Sequence, residues 1–204
     1  KWMKKINPNK YLISNGKFIR NFSKMYQNIK DPWQQKKNFS NDISIVLITE
    51  LIEKLKKKRK KLNVLDIGAG ENFLKKKFFL NHNYVGTDIH TQKKKDILYD
   101  DVRIHNKKFV NKFDLIFILK TIYYVGDKID IVIKNVFLYL KKKGVLIISY
   151  NLKKSSYSNK FLTDIKLRLK LLKKLSELFT VEVNRIPYET KKKEKITILI
   201  FKKD

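Results

Sequence analysis

The sequence predicts a doubly wound α/β domain, that is, a mostly parallel sheet with helices on both faces. Short apolar runs alternate with helix-patterned segments from residue 62 onward, as expected of strands that are buried on both faces. A turn with two glycines, at residues 68–70, follows the first of these runs. The chain has 204 residues and is 43% hydrophobic, which allows one domain with a substantial core.

The periodicity of the apolar residues gives the elements in order. Residues 1–39 look irregular, apart from a short helix over 19–29, and residues 41–60 form an amphipathic helix with a lysine-rich end. Strands are then predicted over 62–67, 84–87, 113–119 and 145–150, and helices over 71–80, 128–141 and 159–179. Two β-patterned runs finish the chain, 180–186 and 195–201, and their short polar connection predicts an antiparallel pair. These are six strands, and we expect a sheet of about seven.

The formal net charge is +29. Such a charge suggests a nucleic-acid-binding surface, but only five of the 48 basic residues are arginines, and the lysines are scattered along the chain. Nucleic-acid surfaces usually use arginine for bidentate contacts. Two interpretations stay open: an AT-rich genome, which we favour, and a polyanion-binding surface. In either case the charge would attract anionic substrates.

Several classes of protein are disfavoured by composition. The chain has no cysteine, which excludes disulfides, cysteine-based zinc sites and a thiol nucleophile. No apolar run reaches the about 18 residues of a membrane span, and the first residues lack the apolar core of a signal peptide. We therefore expect a cytoplasmic protein without a metal site.

The turn after the first strand is the first candidate binding element. Gly68 and Gly70 permit positive φ angles and a close approach of the backbone to a ligand. Asp88 stands 20 residues after Gly68, at the end of the second strand, where an acid can accept hydrogen bonds from a ribose. Phe73 occupies the place of the third glycine of a dinucleotide fingerprint, which disfavours NAD and FAD. A purely structural turn is the alternative explanation of the glycines.

Four segments in this order resemble the motifs of class I S-adenosylmethionine (SAM)-dependent methyltransferases, which have a Rossmann-like sheet. They are VLDIGAGEN (64–72), YVGTD (84–88), FDLIF (113–117) and LKKKGVLIIS (140–149). The resemblance covers about residues 60–203 and implies a SAM-dependent methyltransferase domain over 41–204. Asn72 departs from the family's frequent glycine at that position.

The resemblance also implies which residues hold SAM. The turn backbone would bind the methionine end of SAM, and the acid after the second strand would bind the ribose. Residues further along the sheet edge would contact the adenine and the acceptor. The implied cofactor-binding residues are Asp66, Gly68, Ala69, Gly70, Asp88, Ile89, Asp100, Asp101, Leu119 and Lys120. Two of them have a structural alternative, since Asp66 could only organise the loop through backbone N–H groups and Ile89 could be plain core.

The N-terminal segment carries a second resemblance. Residues 25–35, MYQNIKDPWQQ, are similar to a stretch of small-molecule methyltransferases, among them the nodulation N-methyltransferases and sugar-modifying relatives. This implies that residues 1–40 form a cap or lid over SAM, with Tyr26 and Trp33 excluding water. The Asp-Pro-Trp turn could instead only anchor the N-terminus.

Methyl transfer from SAM mainly requires alignment and exclusion of water, and a hydroxyl or a protonated amine also needs a base. The candidate catalytic residues are Tyr123, Tyr124 and His90, all placed after strand ends. Tyr150 and Asn151, at the end of a later strand, are candidate substrate contacts. A structural role is the alternative for each of the candidate bases.

The sequence thus favours an enzyme that methylates a hydroxyl or amine of a small molecule, a sugar or sugar nucleotide, and we expect this acceptor to be anionic. An RNA methyltransferase that uses the basic surface is the first alternative. A non-catalytic partner subunit with a SAM-binding fold is the second, and the intact Gly68, Gly70 and Asp88 argue against it.

Overall fold

The computed structural model describes residues 7–15, 17–19, 21–29, 31–33, 43–58, 60–90, 96–151, 165–179, 188–189 and 195–204. The strands are Ile13–Ser14 (β1), Lys17–Phe18 (β2), Asn63–Ile67 (β3), Asn83–Asp88 (β4), Ile97–Tyr99 (β5), Phe113–Leu119 (β6), Leu140–Asn151 (β7), Tyr188–Glu189 (β8) and Lys195–Lys202 (β9). The α-helices are Phe22–Asn28 (α1), Ile43–Lys58 (α2), Phe73–Phe78 (α3), Ile129–Tyr139 (α4) and Ile165–Leu178 (α5). None of the helices in these ranges is long and apolar enough to span a membrane.

The main sheet has the strand order β5-β4-β3-β6-β7-β9-β8. Its first five strands are parallel, and β9 runs antiparallel to both β7 and β8. Among the described residues, six of these strands have three or more residues and the edge strand β8 has two. The predicted doubly wound sheet with an antiparallel C-terminal pair is thereby confirmed. The strand order reverses between β3 and β6, and open α/β sheets bind ligands at the carboxyl ends of the strands beside such a reversal.

Both faces of the sheet are buried, as the continuous apolar runs predict. One face packs against α2 and α3 through side chains such as Ile52 and Leu74. The opposite face packs against α4 and α5 through side chains such as Val136 and Leu175. Since the described helices cover these faces with apolar residues, the ends of the strands are where a ligand can reach the described part of the sheet.

The structure differs from the predicted elements at β5 and α3, and also at β1 and β2, which lie in a segment predicted to be irregular. Strand β5 was not predicted, because only one of its three residues is buried and such a short run shows no periodicity. Helix α3 is shorter than the predicted helix over 71–80, because Asn72 adopts a left-handed conformation just before Phe73. The predicted strand over 180–186 lies outside the described residues, as does the start of the helix predicted from 159.

Candidate functional site

A cavity of about 480 Å³ opens at the carboxyl ends of β3, β4 and β6. The sheet contributes residues 66–70, 88–89, 100–103 and 119–121 to its wall. The N-terminal segment, residues 7–33, contributes Phe22, Tyr26 and Trp33. This volume is typical of pockets that enclose a cofactor or another small molecule.

The turn after β3 brings its backbone against the ends of β4 and β6. Gly68 and Gly70 have φ angles of 77° and 54°, a left-handed region that glycine occupies at little cost. The N–H groups of Gly68 and Ala69 donate to the carbonyl of Thr87 at 2.8 and 3.0 Å. A Cβ at position 68 would overlap the side chain of Thr121. The close approach of these two chain segments therefore requires glycine at position 68.

Asn72 stands just before α3, where the resemblance would place a glycine. Its φ and ψ of 56° and 34° lie in the left-handed region, which asparagine tolerates better than most residues. Its Nδ2 donates to the carbonyl of Asp96 at 3.0 Å, and its Oδ1 lies where a Cβ of residue 86 would be. The turn thus keeps its backbone path without the glycine, and β4 accommodates Asn72 through Gly86.

The carboxylate of Asp88 is held at the end of β4 by two backbone groups. It accepts hydrogen bonds from the N–H of Gly70 at 3.3 Å and from the N–H of His90 at 3.1 Å. Burial raises the pKa of Asp88 above its usual range, although these N–H groups oppose the rise. The ionised carboxylate is therefore incompletely compensated, and a ligand that donates further hydrogen bonds would stabilise it.

Asp66 is 4% exposed and lies beside the same cavity. Its carboxyl accepts a hydrogen bond from the hydroxyl of Tyr84. Burial raises the pKa of Asp66 to about 7; the bond from Tyr84 opposes this rise, and the charge of Asp88 adds to it. The partner of Asp66 is thus a side chain and not the turn backbone, and the carboxyl titrates near neutral pH.

The segment after β5 places two acids and an arginine on the cavity wall. Arg103 Nε donates to Asp101 Oδ1 at 2.8 Å, so Asp101 is paired with a cation. Asp100 Oδ1 accepts a hydrogen bond from Asn106 Nδ2 at 2.7 Å, and burial raises the pKa of Asp100. Its N–H donates to the carbonyl of Asp88 at 3.2 Å. Of the two acids, Asp100 is therefore the one bonded to a neutral side chain.

The N-terminal segment has a small core of its own. Leu12, Phe22 and Met25 are buried together and pack against Ile89 and Tyr124 from the main domain. The rings of Phe22 and Tyr124 meet edge to face, with centroids 5.1 Å apart. The segment therefore contacts the residues that follow β4 and β6, on the side where the cavity lies.

Two polar contacts position α1 and the turn after it. Trp33 Nε1 donates to the hydroxyl oxygen of Tyr26 at 3.1 Å. Ser23 Oγ lies 3.1 Å from His90 Nδ1. The first contact joins two residues that line the cavity, and the second attaches α1 to the residue just after the Asp88–Ile89 wall.

A family model described as a methyltransferase domain matches residues 43–186, which is more than half of the chain. The chain belongs to the class I SAM-dependent methyltransferases. The predicted enzyme class is thereby confirmed, and so is the predicted cofactor, SAM.

Solved structures with this fold act on different acceptors. They include the N-methyltransferase NodS from Bradyrhizobium japonicum in complex with S-adenosylhomocysteine (SAH), with 16% identity, 96% of each chain covered and a TM-score of 0.61. The CurJ carbon methyltransferase has 16% identity, with 97% of this chain and 61% of that chain covered and a TM-score of 0.61. A 16S rRNA adenine methyltransferase from Catenulisporales acidiphilia has 13% identity, with 76% of this chain and 90% of that chain covered and a TM-score of 0.53. No curated protein matches the chain in sequence. These likenesses show the fold and do not select an acceptor.

The cavity of this methyltransferase brings the predicted cofactor residues together. Every residue of that set lines it: Asp66, Gly68, Ala69, Gly70, Asp88, Ile89, Asp100, Asp101, Leu119 and Lys120. Tyr26, Trp33 and Tyr124, predicted as lid or catalytic residues, line it as well. Their contacts with SAM and the acceptor stay predictions.

Tyr150 requires a correction. It is 5% exposed and packs in the core on the α4 and α5 face, because successive residues of β7 point to opposite faces of the sheet. It is not among the residues that line the cavity. The predicted base His90 contacts Ser23 of α1 and is not part of the cavity wall. The side chains of Tyr123 and Asn151 lie outside the described part of the chain.

Sequence reasoning missed nine residues of the cavity wall, and three of them, Phe22, Arg103 and Thr121, are instructive. Phe22 stands four residues before Tyr26 in a predicted helix, so the same helix face could have indicated it. Arg103 follows Asp101 by two residues, a spacing that allows a local ion pair. The position of Thr121 beneath Gly68 depends on the pairing of β3 with β6, and no local pattern carries that information.

Proposed function

We propose that this methyltransferase transfers the methyl group of SAM to a hydroxyl or amine of a small molecule, with a sugar or sugar nucleotide as the leading acceptor. The observation that carries the proposal is the composition of the cavity wall. Phe22, Tyr26 and Trp33 of the N-terminal segment face the same cavity as the turn after β3. A site walled from both sides suits a small molecule better than a folded polymer.

The sheet side of the cavity fits SAM, which supplies a methyl group activated by a positively charged sulfur. The partly compensated carboxylate of Asp88 suits the two hydroxyl donors of a ribose. Gly68 and Gly70 leave space for a ligand close to the backbone, and Asp100 can accept a hydrogen bond from an adenine amino group. In this arrangement the methionine end of SAM would lie near Asp66.

The acceptor would lie between the end of β6 and the N-terminal segment. Tyr124 and Lys120 line the cavity there, and Lys120 has a φ of 54°. Such a conformation in a residue other than glycine is costly and is often kept at functional positions. Lys120 is the residue that would bind an anionic group of the acceptor, and Tyr124 is the candidate base.

Titration calorimetry with SAM, followed by a screen of sugars, sugar nucleotides and small amines for methylated products by mass spectrometry, tests this function. We expect SAM binding and methylation of a small molecule. We expect RNA binding to be weak and to fall steeply with salt, as for non-specific contacts of lysines with phosphates. Methylation of one RNA at physiological salt, without a small-molecule product, would contradict the proposal.

The pH dependence of SAM binding should report on Asp66. The folded-state pKa of about 7 exceeds the ordinary value, so stability is highest when the carboxyl is protonated and falls as pH rises from about 4 to about 7. A positively charged ligand favours the ionised carboxylate, so SAM affinity should rise about tenfold from about pH 6 to about pH 8. Titrations at several pH values measure this change. The Asp66→Asn variant should lack the Asp66 contribution, and an unchanged pH profile in that variant would remove Asp66 from the site.

A further inference from the structure

Four aromatic side chains, Phe22, Tyr26, Trp33 and Tyr124, line the part of the cavity next to the N-terminal segment; we call it the aromatic end. We propose that the aromatic end binds a protonated amine, which makes the acceptor an amine rather than a hydroxyl. This inference rests on the proposed function, because it assumes that the acceptor enters from this side.

The rings of the aromatic end are fixed by contacts with one another. Phe22 and Tyr124 meet at 87° with centroids 5.1 Å apart, and the centroids of Trp33 and Tyr124 are 6.1 Å apart. The indole N–H of Trp33 is bonded to the oxygen of Tyr26. Aromatic rings attract a cation that comes within about 6 Å of their centroids. A set of rings that is already ordered binds such a cation without a large entropic cost.

The charges that act on Tyr26 at this end are those of three acids, although the protein as a whole carries +29 and Lys120 lines the same cavity. Burial raises the pKa of the Tyr26 hydroxyl, and the negative charges of Asp88, Glu71 and Asp31 raise that pKa further. The hydrogen bond from Trp33 lowers the pKa in part. Tyr26 is therefore a neutral phenol at neutral pH and does not serve as a base. A cation placed here is attracted by the acids and by the rings together, whereas a neutral hydroxyl gains little from either.

An ammonium group must lose a proton before it can be methylated. The bound ammonium would release one proton to water. The nitrogen lone pair would then form an N–C bond with the methyl group that SAM supplies, and the electron pair of the broken C–S bond stays on sulfur. The aromatic end thus recognises the charged form and retains the free amine next to the cofactor.

A pair of probes with one shape and different charge tests the inference in the full chain. Choline and its neutral isostere 3,3-dimethylbutan-1-ol are titrated by ligand-observed NMR with SAH present, so that the cofactor site is occupied. We expect choline to bind about tenfold more tightly than the neutral alcohol, as a multi-ring cation–π contact predicts. Equal affinity of the two probes would overturn the inference.

Variants test whether the aromatic end is the source of the preference for choline. Tyr124→Leu should remove most of the preference for choline, whereas Tyr99→Leu, which removes a 73% exposed ring on edge strand β5, should leave it unchanged. Tyr124→Phe keeps the ring and should keep the preference. Glu71→Gln leaves the rings intact and should lower choline affinity about two- to threefold while leaving that of the alcohol unchanged. An undiminished preference in both Tyr124→Leu and Glu71→Gln would place choline elsewhere.

SAH binding is measured first in the same samples by calorimetry. Failure of SAH to bind would contradict the proposed function itself. Binding of SAH together with equal affinity for the two probes would overturn only the assignment of an amine, and the hydroxyl acceptor would then stand.

Discussion

Replacing Asp88 with alanine is expected to weaken SAM binding about 10- to 100-fold without unfolding the domain. The carboxylate accepts two backbone hydrogen bonds, and its raised pKa shows that burial leaves the charge incompletely compensated. A ribose would add two donors, and hydrogen bonds to a charged group contribute about 1.5–3 kcal/mol. Titration calorimetry with SAM measures the loss.

Two variants separate this contact from a general effect of charge. Asp96→Ala removes an acid from the same neighbourhood, but the side chain of Asp96 is 70% exposed, so SAM affinity should stay within about twofold. Asp88→Asn keeps the size of the side chain and loses the charge. Its affinity for SAM should lie between those of the unchanged protein and of Asp88→Ala. A folded Asp88→Ala variant with undiminished SAM affinity would exclude Asp88 from the cofactor site.

Deletion of residues 1–35 is expected to lower turnover about a hundredfold or more and to leave a folded domain that retains some SAM affinity. Among the described residues, the two large clusters that cover the sheet contain none before Ile45, whereas Leu12, Phe22 and Met25 form a cluster of their own. Without the segment, water enters the cavity and the acceptor loses one wall, and misalignment alone can cost about a hundredfold in rate. Thermal unfolding, SAM titration and methyl transfer are compared for both chains.

A pair of point variants provides a control within the segment. Phe22→Ala removes the ring that meets Tyr124 and should reproduce part of the loss in turnover. Ile19→Ala truncates a side chain of the same segment that is 46% exposed, and turnover should be unaffected. If the deletion unfolds the protein, the segment is structural, and if it leaves turnover unchanged, the segment is neither lid nor pocket wall.

The sheet was predictable because its central strands are continuous apolar runs, as in residues 113–119 and 145–150. The cofactor residues were predictable for a related reason. In a parallel sheet the residues just after each strand meet at one edge. The order of the apolar runs along the chain therefore suffices to place the turn after residue 67 beside the acid at position 88.

The unpredicted features depend on contacts that are distant in the sequence. The orientation of Tyr150 is set by the register of β7 within the sheet, since a shift of one residue reverses which face a side chain meets. The raised pKa of Asp66 arises from burial together with Tyr84 and Asp88, and neither burial nor that neighbourhood is visible in residues 64–70. Tertiary packing, and not local pattern, decides both.

The separate cluster of Leu12, Phe22 and Met25 has a consequence for the end of the catalytic cycle. Because these side chains are not part of the cores that hold the sheet, the segment can unfold locally at a cost far below that of global unfolding. SAH would leave through the opening that this local unfolding creates. We therefore expect the amides of α1 to exchange with solvent faster than those of β6, and product release to become faster as this small cluster is weakened.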